Sequence, residues 1–402
     1  MKSEKLQLKN KNWQKVKLGE IAILNPSVHL EKGEKYPFVS MEQVEIGEKY
    51  ICPSEIREYK GGGTKFSDGD ILFARITPSL EHGKCGVVKL KGEMKVGFGS
   101  TEFFVFRGRE NITCTDYLYY LSKTHKLRQT AINSMVGVSG RQRARIDAIV
   151  NYEFYLPPFN EQKRIADILS AFDEKIELNN KINKILEEMA QAIFKEWFVD
   201  FRFSGSFKIR FLDRELGDIP AGWEIATLSE LLYFEKGSTT DELFEENIPG
   251  SFEYLTNESF SKNKRRYTFD ESLPHVEEGD VLMIMDGEAG RIIRARPGVL
   301  GSTVARVIPK RNSWNNLFLY FWLKSIEPIL LRNSMGTSVQ HVDKNFLKTY
   351  QFVIPPDDHA KKFQNIVNPI IEKVILLRKE NQKLSALRDL LLPKLMSGEV
   401  RV

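Results

Sequence analysis

Apolar positions divide the chain into two textures, and each texture occurs twice. The first texture fills a segment of about 140 residues with short β-type runs broken by Gly, Pro and Asn. Residues 71–76, 86–90 and 103–107 are predicted strands, and Thr115 is placed to cap a helix running to about Thr130, with Tyr117, Leu118 and Leu121 on one face. The second texture follows each Pro-Pro pair. After Pro157-Pro158 the apolar residues recur at helical spacing: Ile165, Ile168, Phe172, Ile176, Leu186, Met189, Ile193 and Trp197. After Pro355-Pro356 they fall on Phe363, Ile370, Leu377, Leu384 and Leu391, every seventh position, in the same register 198 residues on. A sustained seven-residue seam packs helix against helix. Asn160 and Asp357 or Asp358 are the expected caps. Pro369 is expected to kink or restart the second helix, since it lacks the N–H of the helical ladder. Asn179, Asn180 and Asn183 place polar groups in mid-seam, where they fix register.

The two textures repeat because the chain repeats. Trp13 to Ile21 returns as Trp223 to Leu231, 210 positions later, and Asp68-Gly69-Asp70-Ile71-Leu72-Phe73 returns at the same offset as Glu278-Gly279-Asp280-Val281-Leu282-Met283. Gly99-Ser100-Thr101 aligns with Gly301-Ser302-Thr303, and Phe154 to Pro158 aligns with Phe352 to Pro356. The blocks keep their order while the offset drifts, as a duplication with loop insertions does. The expected fold is therefore α+β: two similar mixed α/β domains separated by two long antiparallel helices that form a coiled-coil spacer, related by a pseudo-two-fold axis. Boundaries are expected at 1–158 for the first domain, 159–204 for the first helix, 205–356 for the second domain, and 357–402 for the second helix and tail. Helices of roughly 35 residues span about 50 Å at 1.5 Å per residue, on the order of one to one and a half turns of B-DNA.

Composition changes this picture little. Of 402 residues 42% are hydrophobic and 28% charged, which is ordinary for a globular chain, and a net charge of +5 requires any basic footprint to be local. Cys52, Cys85 and Cys114 are odd in number and without metal-ligand spacing, so neither a disulfide framework nor a zinc site is expected. No run approaches the roughly 20 apolar residues of a membrane span, and no signal peptide is seen behind Met1, so a cytoplasmic protein with no membrane partner is expected.

Basic and polar residues gather in loops at corresponding places in the two domains. Before the Gly-Asp strand stand Lys60 and Lys65 in the first copy and Lys262, Lys264, Arg265 and Arg266 in the second. After it come Arg75, Thr77 and Lys84, against Arg291 and Arg294. Late in each domain stand Ser139, Arg141, Gln142 and Arg143, against Ser338, Gln340 and His341. Arg and Lys neutralise phosphates, and Arg and Gln read base edges by paired hydrogen bonds. Taken singly, each run is a solvated surface loop; repetition in both domains turns the group toward nucleic acid. Catalytic readings find little support. Leu156-Pro157-Pro158-Phe159 and Ile354-Pro355-Pro356-Asp357 lack the leading polar residue that an amine methyltransferase uses, and no G-x-G-x-x-G occurs. Asp70 with Glu93 and Lys95 imitates a magnesium nuclease, but the second copy keeps only Asp280. No cofactor is expected.

These residues carry a family resemblance. Gly69 to Lys84, with Gly97 to Phe103, resembles a target recognition domain of type I restriction–modification specificity (S) subunits. Leu156-Pro157-Pro158 with Glu161-Gln162 and Ile165-Ala166 resembles the start of that family's central helix, Ala190 to Phe201 its end, and Leu390 to Arg401 the family's C-terminal ending. The second copy departs from the pattern at His359-Ala360, where the family often has Glu-Gln. The resemblance covers the chain from Trp13. It implies a non-catalytic subunit whose two domains each read half of a split, asymmetric double-stranded DNA sequence, with the helices setting the spacer. It also implies two modification (methyltransferase) subunits, which use S-adenosylmethionine to methylate an adenine in each half after flipping it out, and restriction subunits that use ATP and magnesium. Trp197 and Phe198, taken as exposed, are expected to dock these partners together with Leu395 and Met396; simple packing in the helix seam is the other reading of the two aromatics. The alternative is a stand-alone bipartite DNA-binding regulator without modification subunits.

Overall fold

The structure, a computed structural model, describes residues 12–138, 140–202, 211–214, 217–220, 222–262, 264–335 and 340–402. It forms two compact units, one of residues 1–181 with 376–402 and the other of residues 182–375.

In the first unit a five-stranded sheet runs in the order Ala22–Leu24, Phe103–Gly108, Ile71–Ala74, Cys85–Val88, Tyr50–Ile51. Ile71–Ala74 is buried at all four positions, which explains its unbroken apolar sequence: it has a core on both faces. A four-stranded sheet adds Glu55–Glu58, Lys35–Val39, Val96–Gly99 and Thr64–Ser67. The strand expectations lie within a residue or two of these bounds. The helix expected from Thr115 is two helices, Thr115–Ser122 and His125–Asn133. Thr124 separates them by adopting an extended backbone (φ −63°, ψ 140°), while its hydroxyl donates to Leu121 O at 2.7 Å and closes the first helix.

The second unit repeats this plan. Its four-stranded sheet runs Leu232–Lys236, Val304–Pro309, Val281–Ile284, Ile292–Arg294. A second sheet contains a parallel pairing of Tyr254 with Val299, the counterpart of Phe38 with Phe98 in the first unit. Here one helix, Asn316–Arg332, replaces the broken pair, and the Asn315 side chain caps it by accepting from Phe318 N–H at 2.9 Å. The Asp of each Gly-Asp turn is structural. Asp70 is buried and receives both arms of the Arg107 guanidinium at 2.6 and 2.7 Å. Asp280 accepts from the Glu277 N–H at 3.0 Å and from Asn316 at 2.9 Å.

The long helices are Phe159–Phe198 and Asp357–Met396. The first starts two residues before an Asn160 cap would place it, and the second one residue before an Asp357 cap would. Pro158 O accepts from the N–H groups of Glu161 and Gln162, and Pro356 O from those of His359 and Ala360, so the prolines themselves occupy the cap position and Asn160 lies within the first turn. Pro369 does not interrupt the second helix. It lies on the exposed side, as does Asn365 one turn before it, so water can take the carbonyl bond that the ring removes. The packed stripe also differs from the expected apolar positions: Ile168 and Met189 are exposed and Asp173 is buried, while Asn179 is buried in mid-seam as expected. In the first unit the helices run antiparallel. Asn179 donates to Glu380 and Asn381, both at 2.8 Å, Asp173 meets Arg388, and Ile165 and Leu169 share a core with Leu392 and Leu395.

Candidate nucleic-acid interface

In the first unit, the loop after the Gly-Asp strand and the late polar loop, some sixty residues apart, form one small sheet. Arg143 pairs antiparallel with both Ile76 and Val136. Ala144 N–H donates to Arg75 O at 2.8 Å, and Thr77 N–H donates to Gln142 O at 3.0 Å. Gln142 N–H returns a bond to Thr77 Oγ1 at 3.1 Å. Four of the expected residues, Arg75, Thr77, Gln142 and Arg143, thus come together, with Arg141 beside them.

Their charges are arranged by a residue that the sequence reading missed. Glu102 accepts from Arg143 Nε at 2.9 Å and from Arg143 Nη2 at 2.6 Å, while Arg143 Nη1 donates to Arg141 O at 3.3 Å. These bonds raise the already high pKa of Arg143 and, more usefully, stiffen the loop. Arg75 lies with its guanidinium 4.7 Å from the Phe104 ring centroid. The exposed Arg141 side chain has no acidic partner among the described residues. A Glu directly after the repeated Gly-Ser-Thr was the only sequence signal for Glu102.

The remaining expected residues of this unit stand outside the small sheet. Lys84 donates to Met41 O at 2.9 Å, Lys65 lies 5.3 Å from the centroid of Tyr59, and Lys60 is exposed. Ser139 lies outside the described residues. A cavity of about 930 Å³ in the same unit is lined by Trp13, Lys123, Arg128, Tyr152 and Arg388 among others, and by Met396 alone of the expected site residues.

The second unit builds the same small sheet from Asp286–Gly287, Gln340–Val342 and Ser334–Met335. His341 pairs with Asp286 and with Met335, and its Nδ1 lies 2.6 Å from Asp286 Oδ1. Asp286 was also missed in the sequence. Four of the other expected basic residues of this unit face neighbouring acids. Lys262 and Lys264 face Glu258 at 3.2 and 4.0 Å, Arg265 faces Glu253 at 3.9 Å, and Arg291 pairs with Glu288. Arg266 is half-buried, and Arg294 lies 6.0 Å from the Tyr320 ring centroid. Ser338 lies outside the described residues.

The expected exposure of Phe198 is corrected by the structure, which gives it the packed position of the other reading. Phe198 is 8% exposed and packs on Phe194, Trp223, Phe318 and Phe363, with ring centroids 4.8 to 6.1 Å away. Leu395 is 1% exposed in the core of the first unit. Both are large apolar groups at helix ends, where each unit's own core is there to cover them. Trp197 and Met396 are half-buried at the margins of the same cores.

Two like α/β units, each carrying one such sheet, define a tandem-domain subunit. The chain belongs to the family described as the type I restriction modification DNA specificity domain, whose model matches residues 10–188 and 220–386, one match in each half of the chain. It is 29% identical over 307 residues, covering 72% of this chain and 69% of the relative, to the type I restriction enzyme MjaIX specificity subunit of Methanocaldococcus jannaschii. To the type I restriction enzyme HindI specificity subunit of Haemophilus influenzae it is 24% identical over 472 residues, covering 97% of this chain and all of the relative. Its fold is similar to the crystal structure of the type I restriction–modification system S subunit from M. genitalium, at 20% identity and a TM-score of 0.54, with 96% of each chain covered.

Proposed function

We propose that this chain is the DNA sequence-specificity subunit of a type I restriction–modification complex. It binds an asymmetric bipartite double-stranded sequence, with residues 1–158 reading one half and residues 205–356 the other. Two modification subunits methylate an adenine in each half, and restriction subunits join them; the chain itself performs neither reaction and acts in the cytoplasm. The observation that carries this reading is the small sheet built twice. In each unit two loops far apart in sequence are joined by backbone bonds, and a basic residue on them is held by a carboxylate, Arg143 by Glu102 and His341 by Asp286. Such fixed polar groups suit base-edge contact, and the surrounding Lys and Arg residues suit phosphates. Residues 159–204 and 357–402 supply the partner-docking helices. There Trp197 and Met396 offer partly exposed edges, with Phe198 and Leu395 as the support beneath them.

The test is co-expression with a methyltransferase subunit pair, followed by purification of the complex and mapping of methylated adenines in the host genome. Adenines methylated in a split sequence only when this chain is present are the expected result. Tight, specific DNA binding by the chain with no partner-dependent methylation would point instead to a stand-alone regulator.

A further inference from the structure

The two small sheets can be matched residue for residue from their backbone bonds. Ala144 N–H donates to Arg75 O, as Val342 N–H donates to Met285 O, and the pairing of Ile76 with Arg143 corresponds to that of Asp286 with His341. Arg75 therefore stands where the second unit has Met285, Thr77 where it has Gly287, and Arg143 where it has His341. None of these pairs is alike. At the position between them the two units carry the same residue, Gln142 and Gln340.

Domains that read different half-sites differ where the bases differ and agree where the bases agree. In the function proposed above, each half-site contains one base of common fate, the adenine to be methylated. The placement of Gln142 suits it to that base. Its backbone is fixed on both sides by Thr77, through bonds of 3.0 and 3.1 Å, and the next residue is clamped by Glu102. Its half-buried amide has no hydrogen-bond partner among the described residues, so both its NH₂ group and its carbonyl remain available. An amide in this state matches the N6–H donor and N7 acceptor of adenine in the major groove. Gln340 is placed by its backbone opposite Gly287, with the adjoining His341 held by Asp286.

We infer that Gln142 and Gln340 recognise the A·T pair carrying the methylatable adenine in their respective half-sites, before that base leaves the stack. The non-identical residues around them supply the sequence difference between the two halves. This inference rests on the specificity-subunit reading and gives that reading its common element.

The experiment uses the complete complex with its methyltransferase subunits and duplexes carrying the mapped target. In one half-site at a time, the target adenine is replaced by purine, which lacks the N6 amino group, or by 7-deazaadenine, which lacks N7. The wild-type complex is expected to bind each altered duplex about tenfold or more weakly. Gln142→Ala should lose that discrimination in one half-site only and Gln340→Ala in the other, while both variants still reject changes at neighbouring base pairs. Gln142→Glu keeps the size and the acceptor but loses the donor, so it should remain sensitive to loss of N6 and become insensitive to loss of N7. If the alanine variants discriminate as the wild type does, or lose discrimination equally at all positions, the inference is overturned. Absence of chain-dependent adenine methylation by the wild type would instead overturn the parent reading, and the two failures are thereby distinguished.

Discussion

Arg388 on the second long helix and Asp173 on the first form an ion pair inside the first unit, each only 4% exposed. Asp173 also accepts from Tyr120 Oη at 2.5 Å, and Arg388 donates to Gly47 O at 3.1 Å. Burial, reinforced by the Asp173 charge, pushes the Tyr120 hydroxyl far above its ordinary range, so it stays a donor at any working pH. The cluster joins both helices to the recognition domain. Removing one member leaves a buried charge uncompensated. Arg388→Met should cost about 3 to 5 kcal/mol in chemical denaturation of the purified chain. Arg388→Met combined with Asp173→Leu should recover much of that loss, since burying two apolar groups leaves no charge stranded. A single variant as stable as wild type would show that the pair is not desolvated.

Gln162 and Gln364 do the same work from different turns of their helices. Gln162 Nε2 donates to Ile112 O and Pro157 O, both at 3.0 Å, and its Oε1 accepts from Cys114 N–H at 3.0 Å. Gln364 Nε2 donates to Ser313 O at 2.8 Å, and its Oε1 accepts from Asn315 N–H at 3.3 Å. Alanine at either position should lower stability by about 1 to 3 kcal/mol, because buried backbone groups lose their partner. Thermal unfolding of the two variants and of Ala360→Gln, which restores the family residue, would check this. Ala360→Gln alone should not stabilise, as Gln364 already holds the site.

Arg141 carries an exposed charge without an acidic partner among the described residues, whereas Arg143 is engaged by Glu102. Arg141→Ala should weaken binding to all duplexes alike and reduce the salt slope of log K by about 1. Arg143→Ala should act differently, loosening the loop and relaxing sequence preference in one half-site. Binding titrations at several salt concentrations separate the two. Identical salt slopes for Arg141→Ala and wild type would remove Arg141 from the phosphate contacts.

Burial pushes the Cys85 thiol up to about 11, with a contact to Ser122 Oγ at 3.0 Å, while Cys52 is exposed. The thiolate is the reactive form, and raising the pKa removes it at any pH below about 11. At pH 8 an alkylating reagent should therefore modify Cys52 and spare Cys85. Peptide mass spectrometry of the labelled native chain gives the ratio. Labelling of Cys85 as fast as Cys52 would mean that the first unit opens at this edge.

The duplication, the strand–helix order of each half and the two long helices are legible in the sequence because they rest on local properties. Short apolar runs bounded by Gly, Pro and Asn, helical spacing of apolar residues, and prolines that cannot continue a ladder act over a few residues. The same locality explains the errors. The break at Thr124 comes from a hydroxyl closing back on Leu121. Phe198 and Leu395 stand at the ends of their helices, where aromatic and aliphatic groups from distant segments cover them.

The candidate interface lies beyond what local pattern can reach. The sequence determined which loops are basic and that they occur twice. It could not determine that Thr77 grips Gln142, that Glu102 clamps Arg143, or that Asp286 holds His341. Nor could it show that Gln364 takes over at the point where His359-Ala360 departs from the family pattern. Each of those relationships joins residues 41 to 65 apart in the chain. Only the closing of the sheets and, for Gln364, the docking of the long helix on the cap of Asn316–Arg332 bring such residues within hydrogen-bond range, so the tertiary structure decided which polar residues stand together.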